Sequence, residues 1–131
     1  MSHSEAAEHI ALRALLSELT HNLGAPLTPA WDKAYWAVPR HRFLPDRIRR
    51  TPDYAPIDRK DAPERWLWAA YSDEPAVIQL NDGDEPMNDD DRWPSSSASA
   101  PSLVFRVLDL LDVEDGHKVL EIGTGTGWNA G

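Results

Sequence analysis

Apolar residues recur at helical spacing in the first stretch, where Ile10, Ala14, Leu15, Leu19 and Leu23 form one stripe between charged positions. This pattern predicts an amphipathic helix. Ser2 and Glu5 have capping-box spacing at its start, and Asn22 and Gly24 are stop signals at its end. Thr28 and Pro29 predict the N-cap and first turn of a second helix through Trp31, Ala34, Tyr35 and Val38, ended by Pro39. From Asp46 to Pro63 prolines punctuate the chain without periodicity, which predicts a surface loop. Trp66 to Tyr71 reads as a helical turn and Ala76 to Leu80 as a strand. Trp31, Trp36, Trp66 and Trp68 read as packing anchors, because burial is the usual use of an indole.

Between Asn81 and Asp91 the chain turns acidic, with Asp82, Asp84, Glu85, Asp89, Asp90 and Asp91. A calcium loop needs oxygen ligands at alternate positions before its glycine, and Gly83 would put Ile78 and Leu80 there, so a solvated loop is expected. Ser95 to Pro101 then leads into a helix from Ser102 to Asp112 with an apolar face of Leu103, Val104, Val107, Leu108 and Leu111. Val113 to Gly116 is a turn. His117 to Ile122, rich in Val, Leu and Ile, predicts a short buried strand running into Gly123-Thr124-Gly125-Thr126-Gly127, with a helix starting near Trp128.

Composition narrows the classes. At 131 residues, with 41% hydrophobic and 27% charged, one globular core is the expectation. A net charge of -9 disfavours a nucleic-acid partner, and Arg40, Arg42, Arg47, Arg49 and Arg50 cluster without an aromatic stacking platform. The absence of cysteine excludes disulfides, thiolate catalysis and cysteine-based zinc sites, fits a cytoplasmic protein, and leaves no metal site expected. Glu5, Glu8, Arg13 and Glu18 interrupt what would be the apolar core of a secretion signal between Met1 and Leu19. No apolar run reaches the roughly 18 residues a membrane helix requires, so no membrane partner is expected.

A strand ending in closely spaced glycines brings backbone amides against a nucleotide-like ligand, since glycine permits the sharp turn and clears the approach. The dinucleotide fingerprint G-x-G-x-x-G would need glycine where Trp128 stands; the third glycine is Gly127 instead. A phosphate-binding P-loop is excluded by the missing Gly-Lys-Ser/Thr ending. Ser99 has a plain reading as a helix cap before Pro101, Glu121 one as a strand-end residue, and His41 one as a structural residue of the proline-rich loop.

Four elements, in order, carry a resemblance: Val38-Pro39-Arg40-His41 with Phe43 and Pro45; Ala70-Tyr71-Ser72-Asp73-Glu74-Pro75; Ser99-Ala100-Pro101; and Val119 to Gly127. Together they resemble the protein-L-isoaspartate O-methyltransferases from about Trp31 onward. The resemblance implies a Rossmann-like, doubly wound α/β methyltransferase fold with a mostly parallel sheet, preceded by a helical and loop-rich section. It divides the chain into residues 1–94, carrying the acidic loop 81–91, and residues 95–131, which open the cofactor domain. It implies S-adenosylmethionine as cofactor and a protein or peptide with an isoaspartyl or aspartyl carboxylate as substrate. Ser99 is the implied catalytic residue, its hydroxyl donating to the accepting carboxylate, while Ala98, Ser99, Pro101, Glu121, Gly123, Thr124, Gly125 and Gly127 are the implied cofactor contacts. Two departures bear on substrate: the long acidic stretch Asn81 to Pro94, and Ser102 where some members carry histidine. The Ser-rich lead and Gly125 to Ala130 resemble the branch acting in maturation of ribosomal peptides. A NAD-linked oxidoreductase and a non-catalytic peptide-binding module stand as alternatives. A ribose-binding carboxylate is expected roughly 20 residues past the glycines, so residues 1–131 read as an N-terminal fragment that alone is inactive and binds the cofactor poorly.

Overall fold

In the computed structural model, which describes residues 2–84 and 88–131, the chain opens with helix α1, His3–Leu23. Glu85, counted above in the acidic stretch, and Met1 lie outside the described residues. The Ser2 hydroxyl accepts from the Glu5 amide at 3.1 Å and the Glu5 carboxylate accepts from the Ser2 amide at 2.7 Å, completing the capping box. Gly24 ends α1 in the left-handed conformation with φ 78°. The buried stripe is Ala11, Leu12, Leu15 and Leu19, rotated from the one predicted: Ile10 and Ala14 face outward. Helix α2, Pro29–Ala37, starts on Pro29 as expected, without a side-chain hydrogen bond from Thr28. The Tyr35 hydroxyl donates to the Leu12 carbonyl at 2.6 Å and ties α2 to α1.

The predicted loop after Pro45 holds a hairpin. Strand β1, Arg47–Arg49, pairs antiparallel with β2, Pro56–Asp58. Ile48 faces Ile57 in register, and both are buried. Three-residue strands are too short to display a period of two, and their prolines signal loop; Pro56 is tolerated because it begins an edge strand. Helix α3, Pro63–Ala70, buries Trp66, Ala69 and Ala70 against β2 and α1. Trp68 is 50% exposed and is not a packing anchor, while Trp31 and Trp36 are half-buried.

Strand β3, Ala76–Leu80, is where predicted; β4, Pro94–Ala98, occupies what read as the lead into a helix. Serine is not a strong strand former, so β4 is legible only through its pairing with β3. Between them the acidic connection is exposed at Asp82, Asp84, Asp89, Asp90 and Asp91, as expected. It is pinned by Asn81, whose side-chain nitrogen donates to the Asp91 carbonyl at 2.8 Å and whose side-chain oxygen accepts from the Trp93 amide at 3.0 Å. The sheet runs β2-β1-β3-β4, with every pairing antiparallel. The molecule is thus mixed α/β, but a mostly parallel sheet does not occur among the described residues.

Helix α4, Pro101–Leu111, buries Val104 and Phe105 and packs on α1. Its other apolar residues, Leu103, Val107, Leu110 and Leu111, stay exposed, because no described element lies on that side. The segment 117–122, predicted as a buried strand, is coil: Val119, Leu120 and Ile122 are 57%, 86% and 90% exposed. Residues of strand propensity need neighbours to satisfy their amides and bury their side chains, and no described backbone pairs with 118–122. The chain returns to the core at Trp128, which begins the short 3-10 turn Trp128–Ala130. No helix of the described residues is long and apolar enough to cross a membrane.

Candidate functional site

The site is built around a buried cation. Arg40 opens the 3-10 turn Arg40–Phe43 after Pro39 and is 1% exposed. Its Nε donates to the Ala70 carbonyl at the end of α3 at 3.0 Å, and its Nη2 to the Ala98 carbonyl at the end of β4 at 3.4 Å. Its guanidinium carbon stands 4.8 Å from the centre of the Trp128 ring. Burial draws the guanidinium pKa down to about 10, against opposing contributions from Tyr71, Asp73 and Tyr35, so it keeps its charge at neutral pH. Nη1 has no hydrogen-bond partner among the described residues. An unsatisfied buried donor costs about 1–3 kcal/mol, and a charged one more.

Beside it, His41 is buried and contacts Tyr71 and Glu8 rather than the proline-rich loop. The Tyr71 oxygen accepts from the His41 amide at 3.3 Å, and the same hydroxyl is hydrogen-bonded to His41 Nδ1 at 2.6 Å. The other ring nitrogen, Nε2, faces the Glu8 carboxylate at 3.6 Å. Burial pushes the Tyr71 hydroxyl up to about 12, so it remains a donor throughout the physiological range.

Ser99 lies between β4 and α4 and is exposed. It is not the helix cap: the N-cap residue of α4 is Ala100, without a side-chain bond. Asp73 does that work from the turn after α3, its Oδ1 accepting from the Ser102 amide at 2.8 Å and its Oδ2 from the Asn22 side-chain nitrogen at 2.7 Å. Pro101, buried at the first turn of α4, fixes the direction in which the helix leaves β4.

Facing Ser99 is the glycine loop. Gly123, Gly125 and Gly127 have φ of 71°, 57° and 88°, the left-handed region that side chains resist, which accounts for glycine at each. A Cβ on Gly125 would lie 3.9 Å from the Ser97 carbonyl, so the loop backbone comes close to β4. Trp128 anchors this arrangement. It is 8% exposed, its Nε1 donates to the Val38 carbonyl at 3.0 Å, and its ring meets Phe105 edge to face at 6.1 Å. The residue occupying the place of a dinucleotide-fingerprint glycine is therefore a packing anchor. Glu121 is exposed, and its carboxylate accepts from the Thr124 hydroxyl at 3.1 Å.

One cavity of about 70 Å³ brings together Ala98, Ser99, Glu121, Gly123, Thr124 and Gly125. Gly127 and Pro101, also expected at the cofactor, lie outside it. Arg40 and Trp128 line the same cavity, and neither was singled out for it from the sequence. Arg40 lies within one of the four resembling elements, which is the signal that would have found it. The cavity is well below the ~300 Å³ at which pockets for cofactor-sized ligands begin. It suits one end of such a ligand, because its lining combines backbone amides of the glycine loop, the Ser99 hydroxyl, the Arg40 guanidinium and the Glu121 carboxylate.

A family model described as protein-L-isoaspartate(D-aspartate) O-methyltransferase matches residues 53–131. Among curated proteins, the protein-L-isoaspartate O-methyltransferase of Methanosarcina mazei is 33% identical over 98 residues, 75% of this chain and 27% of that protein. The protein of the same name from Methanopyrus kandleri is 31% identical over 118 residues, 90% of this chain and 38% of its own length. That of Korarchaeum cryptofilum is 38% identical over 68 residues, 52% of this chain and 24% of its own length. No solved structure matches the chain. The chain spans between 24% and 38% of the length of these relatives. With the model's match extending over more than half of its residues, the chain belongs to the protein-L-isoaspartate(D-aspartate) O-methyltransferase family.

Proposed function

We propose that the protein transfers the methyl group of S-adenosylmethionine to an isoaspartyl carboxylate of a protein or peptide. The observation that carries this reading is that Ser99 and the glycine loop line the same cavity. The three relatives are named for the same reaction. When bound, the sulfonium donor supplies an electrophilic methyl carbon: a carboxylate oxygen forms the new O–CH3 bond as the S–CH3 bond breaks, and the electron pair stays on sulfur. A carboxylate is already deprotonated at neutral pH, so the chain's own residues have only to align, desolvate and hold. The Ser99 hydroxyl, uncommitted to any cap, donates to one oxygen of the acceptor and leaves the other free to attack. The amides around Gly123 and Gly125 receive the amino-acid end of the donor, and Glu121 its ammonium group.

The same reading takes 117–122 as the first strand of a Rossmann-like parallel sheet, with residues from 95 onward opening the cofactor domain and β4 joining it to the N-terminal section. Support comes from the apolar side chains of 119, 120 and 122 and the outer face of α4, which are of core character yet exposed. The test is incorporation of labelled methyl from S-adenosylmethionine by the protein expressed from its complete reading frame. An isoaspartyl peptide is expected to be labelled and its aspartyl counterpart not. Equal labelling of both removes the isoaspartyl specificity, and labelling of neither removes the function.

A further inference from the structure

The Arg40 guanidinium is buried at the cavity, and although Asp73 acts on its charge from a distance, no carboxylate among the described residues lies within ion-pair reach of it. Its two hydrogen bonds go to neutral carbonyls, those of Ala70 and Ala98, and Nη1 is left without a partner. Among the described residues no ion pair joins Arg40 to an acidic side chain. The carboxylate that lines the same cavity, Glu121, is engaged by the Thr124 hydroxyl instead. The guanidinium stays charged, so a carboxylate reaching Nη1 meets both an unused donor and an opposite charge. The Ser99 hydroxyl and the glycine-loop backbone supply neutral donors around the same space, and the guanidinium carbon lies over the Trp128 ring at 4.8 Å from its centre.

We infer that Arg40 is a ligand-binding residue whose Nη1 takes a carboxylate oxygen entering the cavity between Ser99 and the glycine loop. The inference rests on the proposed methyl transfer, in which two carboxylates come to the site: that of the donor's amino-acid end and that of the acceptor. Arg40 holds one of them and, being fixed by Ala70, Ala98 and Trp128, sets its position relative to Ser99.

The experiment uses the protein from its complete reading frame and compares wild type with Arg40→Met and Arg40→Lys. Calorimetry measures binding of S-adenosylhomocysteine, which carries the donor carboxylate, and of 5′-methylthioadenosine, which lacks the amino-acid end. Steady-state methylation measures KM for an isoaspartyl peptide. If the donor's carboxylate is the partner, Arg40→Met weakens S-adenosylhomocysteine by about 10- to 100-fold, the effect of losing a hydrogen bond to a charged group, and leaves 5′-methylthioadenosine unchanged. If the acceptor's is the partner, the peptide KM rises by a similar factor and binding of both nucleosides is unchanged. Arg40→Lys keeps the charge and loses the fork, and recovers only part of the loss. Equal weakening of both nucleosides, or no change in any of the three, assigns Arg40 a structural role and overturns the inference. Should the variants fail to fold, the wild-type Arg40 side-chain NMR signals give the same answer. They shift with S-adenosylhomocysteine or with the isoaspartyl peptide but not with 5′-methylthioadenosine, and an absence of that difference overturns the inference. A wild-type protein that binds neither nucleoside and methylates nothing overturns the functional reading, and the inference with it.

Discussion

Ser99 and His41, polar residues of two resembling elements, differ in what the fold leaves free: the Ser99 side chain is exposed and the His41 ring is buried. Ser99 makes no cap and is exposed to the cavity, so its hydroxyl is available to a ligand. Ser99→Ala should lower kcat/KM for the isoaspartyl peptide by about 10- to 100-fold, the range of a hydrogen bond to a charged group. Stability should stay within about 0.5 kcal/mol of wild type in urea denaturation. A variant with full activity would remove Ser99 from the reaction. His41, by contrast, is buried, and burial holds its pKa below the ordinary value of 6.5; Glu8 acts the other way, while Arg42 and Arg59 reinforce the depression. In mild acid the unfolded chain therefore binds more protons at this position than the folded one. The stability this neutral imidazole contributes is whole above the unfolded pKa and is lost as pH falls through about 6.5 toward the folded value. Thermal midpoints should fall between pH 7.5 and 5.5, and His41→Asn should flatten that slope. An unchanged slope in the variant would place the acid sensitivity elsewhere.

Among the elements, α4 depends on a cap supplied from far along the chain. Its own N-cap position is Ala100, and the missing acceptor is provided by Asp73, which also accepts from Asn22 at the end of α1. One carboxylate thus locks the turn after α3, the start of α4 and the end of α1 together, and through α4 it sets where Ser99 stands. Asp73→Ala should destabilise the protein by about 1–2 kcal/mol in urea denaturation, the range of a lost cap. Asp73→Asn, which retains one acceptor oxygen, should lose less. Equal losses would mean that charge rather than cap geometry is what matters there.

For the molecule as a whole, the contrast between 117–122 and Trp128 is decisive. The backbone of 118–122 pairs with no described backbone and Trp128 is anchored, so in the 131-residue chain the amides of 118–122 should exchange with solvent without protection while the indole of Trp128 is protected. Protected amides across 118–122 would show that they find a partner in solution. The same chain should bind S-adenosylmethionine weakly by calorimetry, because the cavity of about 70 Å³ engages only one end of such a ligand. Tight binding would sink that expectation. Helices α1, α2 and α4, the capping box at Ser2 and the glycine-rich bend were legible from residue order, since periodicity, caps and left-handed positions are local properties. The hairpin β1–β2, the serine strand β4 and the coil at 117–122 were not. Whether a segment is strand depends on what lies beside it, and a three-residue strand such as Arg47–Arg49 has no period to read. Residue order set Arg40 in a resembling element but did not show its burial, which the arginines at 42, 47, 49 and 50 do not share. Its burial depends on carbonyls 30 and 58 positions away and on Trp128, and only tertiary structure assembles groups so distant around one charge.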